Sequence, residues 1–189
     1  IKYFKNENID FINTKKFNII TLYEFLSHKE IFNKISNHPQ YLHSEKTDAQ
    51  MYVFNYNNIC TLGFRGTDSF KDILFDLTMW RDIFDEVSND ILVHSGIYKQ
   101  FKSLKKYIDD NLFGTDIIVT GHSLGGGIAT LTALYLSKKG YNVKCFTYGA
   151  PRVGDSKFCK LFNESKIENH RIVNDMDPVP LLPWPLRFK

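Results

Sequence analysis

A serine flanked by glycines two positions away, where an apolar strand-like run meets a helix-like run, has the makings of a nucleophile. The stretch is Ile117-Ile118-Val119-Thr120-Gly121-His122-Ser123-Leu124-Gly125-Gly126-Gly127. A serine hydroxyl attacks well only when a base takes its proton and donors receive the negative charge that develops. A sharp turn at Ser123 lifts the hydroxyl above the end of the strand, and side chains two residues to either side would collide there, which calls for Gly121 and Gly125. The helix that follows sets its free N–H groups beneath the serine, making the Leu124 N–H a natural donor to an oxyanion. The bland counterpart is a glycine-rich turn that serves only tight helix–sheet packing. His122 is read as structural, pointing away from its neighbour's reaction centre.

The surrounding elements must position that turn. Ile117–Thr120, Val143–Tyr148 and Arg171–Val173 read as strands, with helices over Ser123–Lys139 and Asp155–Asn163 between them. Strands alternating with helices predict a parallel sheet in an α/β domain. Upstream, Met51–Asn55 and Ile59–Phe64 form a predicted hairpin around Asn57-Asn58. Ile91–Val93 is a short apolar run, and a helix is expected from Ile97 to about Asn111. Thr21–Asn37 reads as an amphipathic helix opened by a Thr21-x-x-Glu24 capping box and followed by a polar stretch with Pro39. Residues 1–45 are thus expected to be a helical segment packed on a core spanning 50–185, all within one domain of 189 residues.

Composition bounds the function. Hydrophobic residues make up 43%, aromatics 15% and charged residues 24%, which is the make-up of a globular chain rather than a disordered one. A formal charge of +3 gives no reason to expect nucleic acid as a partner. No apolar run approaches the roughly 18–20 residues of a membrane span. There is no His-Glu-x-x-His and no Cys-x-x-Cys, so neither a metal nor another cofactor is implied. Cys60 and Cys145 sit in strand-like runs and are expected as buried free thiols. The chain begins at Ile1 rather than Met, so its ends need not be those of the translated protein.

Five ordered blocks carry a family resemblance: Phe64-Arg65-Gly66-Thr67; Val93-His94-Ser95-Gly96; Gly121 to Gly126; Tyr148-Gly149-Ala150-Pro151-Arg152-Val153-Gly154; and Arg171 to Pro180. Together they resemble the class 3 lipases, relatives of the fungal triacylglycerol lipases. The resemblance implies an α/β-hydrolase-like fold, a mostly parallel central sheet with helices on both faces, here C-terminally incomplete. It also implies a serine carboxylester hydrolase acting on lipid or small acyl esters at a lipid–water interface. Ser123 matches the nucleophile, Asp177 the acid of the triad, and Thr67 and Leu124 the oxyanion-hole donors. Asp175, two residues earlier, is the rival acid. Thr67 also suits a helix N-terminal cap, a role compatible with the first. Phe70, Ile73, Leu74 and Leu77 fall at i, i+3, i+4 and i+7 on one helical face. Periodicity leaves that face open between a packed core helix and a lid, and the resemblance favours the lid.

One member of the triad is not found in this chain. In the family the histidine follows the acid by several tens of residues, and the twelve residues after Asp177 contain none. His170 precedes Asp177 by seven residues across a strand, roughly 20 Å at about 3.3 Å per residue, which places it at the wrong edge of the sheet. His94 belongs to a block read as structural, and His28, His38 and His43 lie outside the matched region. The expectation is a Ser–His–Asp hydrolase whose base lies beyond these residues. Its alternative is a catalytically inactive member that uses the cleft to bind acyl groups.

Overall fold

The computed structural model describes residues 40–56, 58–66 and 81–183. The expected N-terminal helix over Thr21–Asn37, Thr67, and the apolar face of Phe70, Ile73, Leu74 and Leu77 all lie outside the described residues. The elements run β1 (Gln40–Ser44), β2 (Ala49–Tyr56), β3 (Ile59–Phe64), β4 (Arg81–Ile83), β5 (Leu92–His94) and α1 (Ser95–Asp110). They continue with β6 (Asp116–His122), α2 (Leu124–Lys138), β7 (Asn142–Tyr148), α3 (Ser156–Glu164) and β8 (Glu168–Ile172), ending in a 3₁₀ turn at Val179–Leu181.

Six strands form one sheet in the order β1-β2-β3-β6-β7-β8. β1, β2 and β3 pair antiparallel, as a hairpin with an added edge strand, while β3, β6, β7 and β8 run parallel. The register sets Phe64 opposite Gly121, His122 opposite Tyr148, and Tyr148 opposite Ile172. All four parallel strands therefore release their chains at one edge, the edge where open α/β sheets gather their chemistry. β4 and β5 make a separate two-stranded sheet.

Packing follows from the side-chain pattern. β6 alternates, with Ile117, Val119 and Gly121 buried on one face. The sequence of α2 is apolar all round, and it buries Leu124 through Ala129 and Leu131 through Leu136. Such a helix belongs in the middle of a core rather than on its surface. α1 is amphipathic, burying Ile97, Tyr98, Phe101, Leu104 and Ile108. Gly127 lets Ile97 approach α2 closely, since a Cβ there would lie 2.8 Å from Ile97 Cδ1. Phe101 meets Tyr135 edge to face at 5.5 Å.

The contact between α1 and α2 is also polar. Asp109 accepts from the Tyr135 hydroxyl at 2.8 Å and from Lys139 Nζ at 2.8 Å, and Lys105 adds a third donor at 3.3 Å. Burial alone would push the Asp109 carboxyl up, but these three donors outweigh it and hold it below the usual carboxylate range.

Several expected boundaries shift, each for a local reason. α1 begins at Ser95, two residues before Ile97, because His94 Nδ1 accepts from the Ile97 N–H at 3.4 Å and caps the helix. The last strand is Glu168–Ile172 rather than Arg171–Val173, set by its ladder with Lys144–Tyr148. β1 lies inside the segment expected to be helical up to residue 45. Gln-Tyr-Leu-His-Ser has no clear apolar alternation and is mostly exposed, so its pairing with β2 decides its conformation. β4 is exposed throughout and carries no pattern to read. Cys60 and Cys145 are buried free thiols, as their strand positions suggested, and burial pushes the Cys145 thiol up to about 12.

Candidate active site

Where β6 gives way to α2, Ser123 takes φ 53° and ψ −125°. A side chain held at positive φ costs on the order of 1–3 kcal/mol and persists only where its surroundings over-determine it. Here they do. The Ser123 N–H donates to Tyr148 O at 2.9 Å, and the Ser123 carbonyl accepts from Gly126 N at 2.9 Å and Gly127 N at 3.2 Å. The flanking glycines leave no room for anything larger. A Cβ on Gly121 would stand 2.3 Å from Gly125 O, and one on Gly125 would stand 2.3 Å from Phe64 O. Both clashes are with backbone, which cannot swing aside.

Ser123 is 3% exposed, and its Oγ has no hydrogen-bond partner among the described residues. It sits at the N-terminal position of α2, where the first N–H groups, that of Leu124 foremost, have no acceptor within the helix. The end of β3 closes over the same turn. A Cβ on Gly66 would lie 2.7 Å from His122 O and 3.5 Å from Ser123 Cβ. Gly66 therefore rests against the serine, and Thr67 is its immediate neighbour in the chain.

Asp177 reaches this edge from the loop after β8. Its Oδ1 accepts from the Val179 N–H at 3.0 Å, and its own N–H donates to Asn174 O at 3.0 Å. Its Oδ2 occupies the space over Gly149, 2.5 Å from where a Cβ would be. Gly149 has φ +54°, so both its backbone and that contact call for glycine. Asp175 is exposed, as is Met176 beside it at 88%. Arg171 ties the loop back, donating from Nη2 to Pro180 O at 3.2 Å. The Arg152 N–H donates to Leu182 O at 2.7 Å.

His122 enters the same gap, its Nε2 3.6 Å from that Gly149 point, where Asp177 Oδ2 also sits. Burial holds its imidazole below the usual range, and the Asp177 carboxylate opposes that effect. Sequence reasoning set His122 aside as structural and did not foresee this neighbour. Only the Gly149 block, which lets two side chains share one space, hints at it. The other described histidines are engaged elsewhere. His43 pairs with Asp48 at 2.8 Å, His94 caps α1, and His170 stacks on Phe146 at 4.7 Å and contacts Glu168 at 3.0 Å. No described histidine reaches Ser123 Oγ.

The model of the family Lipase (class 3) matches residues 61–186, two thirds of the chain. The chain belongs to the class 3 lipase family. Among its relatives, the secreted mono- and diacylglycerol lipase A of Penicillium cyclopium is 31% identical over 148 residues, 72% of this chain and 48% of that protein. Phospholipase A1-IIgamma of Arabidopsis thaliana is 31% identical over 150 residues, 60% of this chain and 35% of that protein. The solved Rhizomucor miehei lipase in complex with its propeptide superposes with a TM-score of 0.71 at 28% identity. That likeness covers 77% of this chain and 51% of the solved one, and the sheet and helices described above are those of an α/β-hydrolase. The chain spans less than half the length of these two curated relatives.

Proposed function

We propose that this class 3 lipase is a serine carboxylester hydrolase acting on acyl esters of lipids, with Ser123 as nucleophile. The observation that carries this reading is Ser123 held at positive φ at the head of α2, with Asp177 anchored at the same sheet edge. A strained, buried serine at the same sheet edge as an anchored carboxylate suits acyl transfer, and a packing turn gives no reason for either.

In this reading Ser123 Oγ attacks the ester carbonyl carbon while an imidazole takes its proton. The base is a histidine that none of the described residues supplies, and Asp177 orients it. The tetrahedral oxyanion rests on the Leu124 N–H and on Thr67, through its N–H and hydroxyl. Collapse expels the alcohol, which takes the proton from the imidazolium and leaves an acyl-serine. Water then attacks the acyl-serine by the same steps, releasing the carboxylic acid and restoring the serine. By the family resemblance we assign the segment holding Phe70, Ile73, Leu74 and Leu77 as the lid, the part that gives way at a lipid surface. The relatives named as glyceride lipases and as a phospholipase support a glycerolipid ester as substrate.

A serine-directed fluorophosphonate should label Ser123 in the full-length protein, and Ser123→Ala should abolish turnover of a short-chain p-nitrophenyl ester. Unchanged turnover in that variant overturns the proposal. No turnover in the native protein, together with saturable binding of a fatty acid, would mark an inactive acyl-binding member of the family.

A further inference from the structure

The end of β3 bears on the turn at Ser123 through Gly66, so whatever holds residues 65 and 66 holds the backbone that abuts the serine and leads into Thr67. Gln50, in β2, holds Arg65 twice. Its carbonyl accepts from the Arg65 N–H at 3.0 Å, continuing the ladder one step past the Met51–Phe64 pair. Its side-chain Oε1 accepts from Arg65 Nη1 at 2.7 Å.

The guanidinium only donates, so it takes the amide oxygen, and a third residue suits the same orientation. Asp48 Oδ1 takes the Gln50 Nε2 donor at 3.3 Å and the His43 Nε2 at 2.8 Å. A carboxylate only accepts, so the Gln50 amide must turn its NH₂ to Asp48 and its oxygen to Arg65. These donors, His43 foremost, hold the Asp48 carboxyl below its usual range. On the other side of Arg65 there is no slack. Phe64 O and the Arg65 carbonyl carbon lie 2.3 and 2.8 Å from where a Gly125 Cβ would be, and Gly66 abuts His122 O.

We propose that Gln50 is a positioning residue for the oxyanion hole, holding the Arg65–Gly66 backbone, which leads into Thr67, against the Ser123 turn through its side-chain amide. The proposal rests on the reading of Thr67 as an oxyanion donor. Oxyanion donors act only when placed where the charge will form, and a misplacement of about 1 Å can cost about 10²-fold in rate. Gln50 acts through Arg65, so its effect belongs to kcat rather than KM.

The test compares Gln50→Leu, which keeps the shape and the ladder carbonyl but loses the acceptor, with the double variant Gln50→Glu/Asp48→Asn, which keeps an acceptor for Arg65 and turns an amide donor to the new carboxylate. Turnover of a water-soluble short-chain ester, thermal midpoint, and amide exchange at Gly66 and Thr67 are measured in the full-length protein. Gln50→Leu should lower kcat roughly 10-fold with KM within about twofold. Its midpoint should be unmoved and its Gly66 and Thr67 amides should exchange faster. The Gln50→Glu/Asp48→Asn variant should restore both kcat and protection. Unchanged exchange or unchanged kcat in Gln50→Leu overturns the role, as does a Gln50→Glu/Asp48→Asn variant equally impaired. If Ser123→Ala retained full turnover, the hydrolase reading would fall by itself, and amide exchange would still decide whether Gln50 positions this backbone.

Discussion

Ser123 and Asp177 meet at one edge of one sheet, yet the molecule holds them by different means. The serine turn is buried and pressed by backbone: Tyr148 O accepts from its N–H, Phe64 O lies against Gly125, and Gly66 lies against His122 O. Asp177 sits in a loop that leaves the edge strand β8, whose residues are mostly exposed. A few contacts fix it, namely the Val179 N–H, the space over Gly149 and the tether of Arg171 to Pro180. The serine turn is thus inseparable from the core, whereas the acid loop is an attachment to it. Substitutions at the glycines of the first site should be felt as lost stability, and substitutions at the second as lost turnover from a protein that still folds.

The sharpest way to break this contrast is in the acid loop. Asp177→Asn should lower kcat by about 10³- to 10⁴-fold with a thermal midpoint close to wild type, whereas Asp175→Asn should stay within about threefold. The reverse order in steady-state assays would transfer the acid role to Asp175. At the serine turn, Gly125→Ala brings a methyl against Phe64 O and should cost on the order of 3 kcal/mol in chemical denaturation. A midpoint like that of the wild type would show the turn to be more yielding than its contacts imply. Ser123→Gly separates strain from chemistry: it should abolish hydrolysis and raise stability by about 1 kcal/mol, since glycine takes positive φ freely.

The smallest effect concerns the pin between α1 and α2. The folded Asp109 carboxyl titrates below its unfolded value of about 3.9, so its contribution is complete at neutral pH and fades as acid takes the pH below that value. Melting curves recorded across that range should show the wild type losing stability more steeply than Asp109→Asn. Equal slopes would mean that Lys139, Tyr135 and Lys105 do not favour the charged form.

Much of the serine side was legible in the sequence because its causes are local. Gly121, Ser123 and Gly125 lie within five residues, and the apolar runs on either side announce a strand and a helix. The strand–helix alternation carried the parallel sheet for the same reason. β1 and β4 were not legible: their residues have weak patterns, and pairing partners decided their conformation. Neither was the proximity of His122 to Asp177, fifty-five residues apart, nor the hold of Gln50 on Arg65.

What the sequence determined by itself is the class of architecture and the candidate nucleophile, since both follow from short-range spacing and burial preference. The tertiary structure decided which side chains share the sheet edge. Asp177, Gly149, His122 and Gly66 come from four separate segments, brought together by a parallel register in which one residue's slip would turn every side chain to the other face. Long-range register comes from the packing of whole elements, which is why no local motif announces it.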